Sequence, residues 1–130
     1  MDNGLIRARS RELSPNRGRL LENMVFIELV RRGYHTGIDL FYYKTRNDRE
    51  IDFICRQEGH TESAIQVSYD ITDRKTLDRE IASLLEAAAE LQPTRLVLLT
   101  WQSTEVKRDD GIEIIPVGKW LTDHQETKRN

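Results

Sequence analysis

Polar residues that could do chemistry lie in two β-like stretches near the middle of the chain. Asp52 belongs to the run EIDFICRQ, and Gln66 and Ser68 belong to the run SAIQVSY. Alternate residues of a strand point to opposite faces, so Gln66 and Ser68 share a face, and pairing of the two strands can add Asp52 to it. The same alternation predicts one face for residues 51, 53 and 55 and the other for residues 50, 52 and 54. A carboxylate in such a cluster can bind a divalent cation, whereas an amide offers one neutral oxygen.

Another carboxylate, Glu22, lies within an apolar helical segment. Apolar residues recur at helical spacing from Gly18 to Arg32, and Gly33 ends the pattern. Because these residues cover almost the whole circumference, we expect the helix to be largely buried. A buried carboxylate is costly unless it is hydrogen-bonded, paired or bound to a metal. Glu22 is therefore either a partner of Asp52 in a site or a structural carboxylate.

Apolar patterning predicts the elements that position these residues. The run RLVLLTW at 95–101 is apolar throughout, as is typical of a strand covered on both faces. The order helix, three strands, helix, strand, strand predicts an α/β fold in which helices flank a central mixed sheet of four or five strands. The predicted strands are 38–45, 50–57, 63–69, 95–101 and 112–117, with turns at 46–49 and 58–61, a second helix at 73–91 between Asp73 and Pro93, and a helical stub at 118–121.

Length and composition limit the class of protein. The 130 residues fit one domain: we assign 17–122 to the folded domain, 1–16 to an arm or remnant of an upstream segment, and 123–130 to a polar tail. The single cysteine, Cys55, excludes an internal disulfide and fits a reducing compartment. The chain has neither an apolar run long enough for a membrane span nor a Gly-rich phosphate loop. We expect a soluble, cytoplasmic protein whose residues here do not bind ATP.

Positive charge is concentrated near the N-terminus. Residues 1–32 contain seven arginines and four carboxylates, whereas the whole chain has a net charge of −2. This basic third could contact the phosphates of DNA, or it could be a solvated arm without a partner. The candidates for phosphate contact in the folded domain are Arg17, Arg19, Arg31 and Arg32.

Five segments occur in an order that points to a family: DNGL at 2–5, GRLLENMVFIELVRRG at 18–33, FYYKTRNDREIDFI at 41–54, AIQVSYD at 64–70 and TLDREIASL at 76–84. With them the chain resembles the C-terminal, nuclease-like domain of a prokaryotic AAA+ ATPase family, a domain of unknown function. It also resembles the wider PD-(D/E)XK, or restriction endonuclease-like, superfamily. The resemblance implies that superfamily's fold, in the order α-β-β-β-α-β. It also implies an ATPase and a winged-helix-like linker upstream.

The resemblance also implies roles for the polar residues. Nucleases of this superfamily hold Mg²⁺ or Mn²⁺ with carboxylates and place a lysine beside the attacking water. Glu22 and Asp52 match the first two acidic positions and are the implied metal ligands. Gln66 replaces the next acid and Ser68 replaces the lysine. The implied catalytic set is therefore degenerate, and we expect little or no nuclease activity.

A relocated lysine could restore the lost charge. A two-residue turn at 47–48 would place Tyr43 opposite Asp52, whereas a three-residue loop at 47–49 would place Lys44 there. In the second register the Lys44 ammonium could replace the missing lysine. Otherwise Lys44 is an exposed strand lysine.

Each candidate also has a structural interpretation. Asp52 can pair with an arginine or with the N-terminus of the second helix, and Gln66 and Ser68 can be polar residues of the sheet surface. Arg79 and Glu80 can form an ion pair within the helix or to the sheet rather than act in catalysis. Three functions follow: a nucleic-acid-binding nuclease fold with weak or no catalysis, a protein-interaction or regulatory module of the ATPase, or an active Mg²⁺-dependent endonuclease that uses Lys44. A positive surface near Glu22 and Asp52 would favour nucleic acid, and an apolar patch would favour protein interaction.

Overall fold

The computed structural model describes residues 15–123, and within that range it contains three helices and six strands. The predicted tail, apart from Asp123, and most of the predicted arm lie outside the described residues. The elements are α1 (Pro15–Arg31), β1 (Leu40–Lys44), β2 (Glu50–Gln57), β3 (His60–Val67), α2 (Arg74–Leu91), β4 (Arg95–Thr100), β5 (Val106–Lys107), β6 (Ile112–Pro116) and α3 (Val117–Thr122).

The strands form one mixed sheet with helices packed on it, which confirms the predicted α/β class. Its strand order is β1-β2-β3-β4-β6-β5. The strands β1, β2 and β3 form an antiparallel meander, β4 is parallel to both β3 and β6, and β5 is antiparallel to β6. The predicted count of four or five strands was wrong, because β5 is only two exposed residues long and too short to show an alternating pattern.

The strand β4 lies at the centre of the sheet, as its apolar run predicted. Val97 and Leu99 pack in a cluster with α1, and Leu96 and Leu98 pack in a second cluster with α2. All four side chains are buried. A helical layer therefore covers each face of the sheet at this strand, and the prediction of two covers is confirmed.

The strand β2 departs from the alternation that the sequence predicted. Phe53 and Cys55 pack with α1, but Ile51 joins Ile54 in the cluster with α2. The register with β1 shifts by one residue between the pairs Phe41–Ile54 and Tyr43–Ile51. One extra residue in β2, at Asp52–Phe53, is a β-bulge, and a bulge reverses the alternation beyond it. The predicted grouping of Ile51 with Phe53 was therefore wrong.

The helix α1 begins at Pro15 rather than Gly18. Proline fits the first helical turn because its missing N–H would have no partner there. The expectation that α1 is largely buried was also wrong. Leu21, Val25 and Leu29 are buried against the sheet, whereas a second set of apolar side chains is exposed: Leu20, Met24, Ile27 and Val30. One sheet covers only one side of a helix, and the described residues supply no layer on the other side.

Other boundaries moved by a few residues. The cap predicted at Asp73 is confirmed, since its side chain accepts a hydrogen bond from the Lys75 N–H, and Gln92 ends α2 in the left-handed conformation with φ of 53°. The strand β1 begins at Leu40 rather than at residue 38, and β3 covers His60–Val67 rather than 63–69.

None of the helices within residues 15–123 is long and apolar enough to cross a membrane.

Candidate functional site

The hairpin between β1 and β2 decides where Lys44 lies. The Thr45 N–H donates to the Arg49 carbonyl at 2.8 Å and the Asp48 N–H donates to the Thr45 carbonyl at 2.9 Å, which closes a three-residue loop at 46–48. Asp48 takes the left-handed position of this loop, with φ of 64°, a conformation that Asp tolerates. Lys44 consequently pairs with Glu50, and Tyr43 pairs with Ile51. Both predicted registers were wrong, and Lys44 is exposed and not opposite Asp52.

Asp52 and Gln66 are brought together, as the sequence predicted, and they bond to the backbone. The Asp52 carboxylate accepts the Val67 N–H at 2.8 Å, and the Gln66 carbonyl oxygen accepts the Asp52 N–H at 2.9 Å. The regular pairs between β2 and β3 extend only as far as Phe53–Ile65. These two side chains therefore replace ladder hydrogen bonds where the bulged end of β2 leaves β3.

The amide nitrogen of Gln66 connects the sheet to α2. It donates to the Glu50 carbonyl at 2.9 Å and to Glu80 Oε1 at 2.8 Å. Glu80 is 1% exposed, and its other oxygen lies 3.6 Å from the Arg79 guanidinium. The sequence interpretation favoured an ion pair of Arg79 and Glu80, within the helix or to the sheet, over a catalytic role. The missed signal is the position of Glu80 three residues after Leu77 and four before Leu84, which places it on the apolar side of the helix.

Ser68 and Glu22 are both buried, each 1% exposed. The Ser68 N–H donates to the Leu99 carbonyl at 2.9 Å, which attaches the chain after β3 to β4. Its hydroxyl has no hydrogen-bond partner among the described residues. Ser68 therefore occupies its position by its backbone and its small size, and it carries no charge toward a substrate.

The described residues do not fit the metal centre that the resemblance implies. Residues 15–123 contain no group of three or more His, Cys, Asp or Glu side chains that could hold a metal ion. One carboxylate oxygen of Asp52 and the carbonyl oxygen of Gln66 already accept backbone N–H groups. A hard divalent cation prefers several oxygen ligands, so these side chains are poor candidates for its coordination shell.

Two of the four arginines proposed for phosphate contact belong to an internal ion-pair network. Arg31 binds both oxygens of Glu28, at 2.9 and 2.7 Å, and Arg32 binds one of them at 2.7 Å. Arg32 also donates to the Trp120 carbonyl at 2.7 Å and stacks on the Trp120 ring at 4.3 Å. The hydrogen bond from Arg31, followed by the contacts with Arg32, lowers the pKa of Glu28 to about 2, against the opposing effect of burial.

The other two arginines, Arg17 and Arg19, are exposed at the start of α1 and form no ion pair within residues 15–123. The Arg17 guanidinium lies 5.7 Å from the centre of the Tyr69 ring. The Tyr69 ring in turn stacks on Trp101, with centroids 5.7 Å apart and planes inclined by 11°. Arg17, Tyr69 and Trp101 border an apolar hollow of about 340 Å³ beside α1.

The sequence is similar to one protein family and to uncharacterized proteins of two organisms. The sequence profile of a family described as "Domain of unknown function (DUF4143)" matches residues 17–120. An uncharacterized protein of Methanocaldococcus jannaschii is 36% identical over 119 residues, which is 85% of this chain and 26% of that protein. An uncharacterized protein of Haemophilus influenzae is 33% identical over 121 residues, which is 93% of this chain and 27% of that protein. The chain thus spans about a quarter of the length of these relatives.

Among solved structures, the chain is similar to part of a Thermococcus gammatolerans assembly of McrB AAA+ hexamers with bound McrC. The TM-score is 0.44 at 12% identity, and the match covers 76% of this chain and 27% of that one. A similarity of this size supports no statement about the function of this chain.

Proposed function

The chain belongs to the DUF4143 family, and from this premise we propose that it is a non-catalytic protein-interaction domain. In this proposal it has a restriction endonuclease-like architecture and is joined to an AAA+ ATPase within a longer protein. Residues 17–122 are the interaction domain. The function of the domain is to contact the ATPase part and thereby regulate or assemble it.

The observation that carries the proposal is the bonding of Asp52 and Gln66. Both side chains lie at positions that the resemblance assigns to metal binding, and both hold backbone N–H groups of the sheet. Lys44, the candidate replacement for the missing lysine, pairs with Glu50 and is exposed. This arrangement supports a structural role for the former site, in which its polar groups stabilise the diverging ends of β2 and β3.

The surface of α1 favours protein interaction over nucleic acid. Leu20 is 67% exposed and Ile27 is 57% exposed, on a helix whose other side packs against the sheet. Contiguous exposed apolar side chains are typical of protein-binding surfaces. For the competing function, DNA binding through phosphates, Arg32 is buried and Arg31 is exposed but already paired with Glu28, whereas Arg17 and Arg19 have no such ion pair within the described residues.

The connection to an ATPase rests on the resemblance of the five sequence segments. The relatives support a longer protein, since each contains about three times as much additional polypeptide as this chain matches. A domain that occupies a quarter of such a protein has a covalently attached neighbour with which to interact.

A nuclease assay tests the proposal. The 130-residue chain is incubated with supercoiled plasmid and with single-stranded DNA, in Mg²⁺ and separately in Mn²⁺. We expect no cleavage above that of the Asp52→Ala variant, because the loss of one transition-state contact costs ~10²–10³ in rate and two such contacts are missing. Metal-dependent cleavage that both Asp52→Ala and Lys44→Ala abolish would overturn the proposal in favour of an active endonuclease.

A further inference from the structure

The helix α1 has two apolar sides. Its core side contains Leu21 and Val25, both at most 1% exposed. The opposite side contains Leu20, Met24 and Ile27, which are 67%, 37% and 57% exposed. Their spacing of four and three residues places them in one row along the helix. Three large apolar side chains in one exposed row require an explanation that core packing does not provide.

Each end of this row opens onto an apolar hollow. At the N-terminal end, Leu20 and Met24 border the 340 Å³ hollow that Tyr69 and Trp101 complete. At the C-terminal end, Ile27 and neighbouring residues border a hollow of about 520 Å³, lined by Phe26, Ile27, Val30, Tyr34, His35, Thr36 and Ile38. We refer to the row Leu20, Met24 and Ile27, with the two hollows, as the α1 surface.

The exposed charged residues of α1 are all arginines. Arg17 and Arg19 are exposed at its N-terminal end, and neither forms an ion pair within the described part of the chain. The two carboxylates of α1, Glu22 and Glu28, are buried, with exposures of 1% and 9%. An approaching segment therefore meets apolar side chains beside positive charge, with both carboxylates of the helix turned inward.

We propose that the α1 surface binds an acidic amphipathic helix that belongs to the remainder of the longer polypeptide. The large apolar residues of such a helix, which recur every three or four positions along one side, occupy the two hollows. Its carboxylates form ion pairs with Arg17 and Arg19. This inference rests on the proposed function and names the chemistry of its partner. Covalent connection raises the effective concentration of the helix to about the millimolar range, so weak intrinsic binding is sufficient.

A second copy of the chain fits this surface less well. If two copies of α1 packed antiparallel, Arg17 and Arg19 of one copy would approach the Glu28–Arg31 ion pair of the other, whose carboxylate is already neutralised. If they packed parallel, the two N-terminal arginine pairs would face each other. Like charges opposed across an interface disfavour association. The charge on the helix thus favours an acidic partner over a symmetric dimer.

Peptide binding tests the proposal on the chain itself. The probe is a fluorescein-labelled synthetic peptide of about 18 residues, or five helical turns, with leucines in one row and glutamates elsewhere. Its matched control has the same leucines with lysines in place of the glutamates. We expect the acidic peptide to bind by fluorescence anisotropy and the basic peptide not to bind. Binding should weaken with added salt, because charge attraction contributes to it.

Variants locate the binding on the molecule. Met24→Glu should raise the dissociation constant for the acidic peptide by at least about tenfold, the equivalent of about 1.4 kcal/mol. Leu85→Glu is the matched control, since Leu85 is 40% exposed on α2, and it should leave binding unchanged. Replacing both Arg17 and Arg19 by glutamate should transfer the preference to the basic peptide. Thermal unfolding monitored by circular dichroism verifies that each variant is folded.

Three outcomes would overturn the α1 proposal: equal binding of both peptides, a dimer in sedimentation that Met24→Glu dissociates, or displacement of the peptide by single-stranded DNA at physiological salt. Absence of peptide binding would also overturn it. None of these results requires DNA cleavage, which is the result that would contradict the proposed function. The two proposals can therefore fail separately.

Discussion

Asp52 and Gln66 link the ends of β2 and β3: the Asp52 N–H donates to the Gln66 carbonyl oxygen at 2.9 Å, and the Asp52 carboxylate accepts the Val67 N–H at 2.8 Å. Both residues are buried, so neither hydrogen bond competes with bulk water. A buried N–H without a partner is costly, and these two side chains satisfy such groups where the strand ladder stops. The polar pair that first suggested catalysis therefore contributes to the stability of the sheet.

We predict that Asp52→Ala lowers the free energy of unfolding by about 1–3 kcal/mol, because it leaves the buried Val67 N–H without an acceptor. Asp52→Asn is the matched control. Asn keeps an acceptor oxygen, so we expect Asp52→Asn to lower the free energy of unfolding by less than half as much as Asp52→Ala. Urea denaturation monitored by circular dichroism measures both values. An Asp52→Ala variant as stable as the parent chain would argue against a structural role.

Introducing an acid at position 66 should harm the fold. Gln66→Glu removes the donor that lies 2.8 Å from Glu80 Oε1 and puts a second carboxylate there. We expect a loss of about 1–3 kcal/mol at pH 7 from the lost hydrogen bond and the like charge. Protonation of one of the two carboxylates removes the repulsion, so this loss of stability should shrink as the pH is lowered. The double variant Gln66→Glu/Glu80→Gln should regain most of the stability in urea denaturation, and failure to do so would show that charge repulsion is not the cause.

The ion-pair network of Glu28 should make stability depend on pH. Its folded pKa of about 2 lies below the ordinary value of 4.5, so the network stabilises the fold fully above about pH 5 and loses this contribution as the pH falls toward 2. We expect Glu28→Gln to cost about 2–4 kcal/mol at pH 7, since Arg32 remains buried without its anion. The difference between Glu28→Gln and the parent chain should be close to zero near pH 2. A constant difference from pH 7 to pH 2 in urea denaturation would contradict this assignment.

Nucleic-acid binding through the predicted arginines should be weak and lost at moderate salt. Arg32 is buried and Arg31 already binds both oxygens of Glu28, so Arg17 and Arg19 are the candidates that carry no ion pair within the described residues. Each phosphate contact contributes about −0.9 to the slope of log K against log salt, so these two arginines account for a slope of about −2 at most. Fluorescence anisotropy with a labelled duplex measures this slope. Replacing Arg17 and Arg19 by alanine should weaken low-salt binding and make the slope less steep, whereas Arg31→Ala should change both less. Binding that persists at high salt would contradict phosphate contact.

The sequence by itself determined the elements whose signals are local. The continuous apolar run of β4 predicted that both faces of this strand are covered. In the structure Val97 packs in the cluster with α1, and Leu98 packs in the cluster with α2 on the opposite face. The ends of α2 followed from Asp73 and Pro93, because capping and proline geometry act within one helical turn. The mixed α/β class followed from the order of these elements.

Only the tertiary structure decided what depends on a neighbour distant in the chain. The bulge at Asp52 and the pairing of Lys44 with Glu50 are properties of two strands together, and one inserted residue reverses every side chain beyond it. The exposure of Leu20 and Ile27 depends on how many layers cover α1, a number that the apolar pattern of one helix does not specify. The role of Gln66 likewise depended on Glu80 reaching it from another element. Local sequence patterns determine which segments form helices and strands. The chemistry of a side chain depends on the residues that the tertiary structure places next to it.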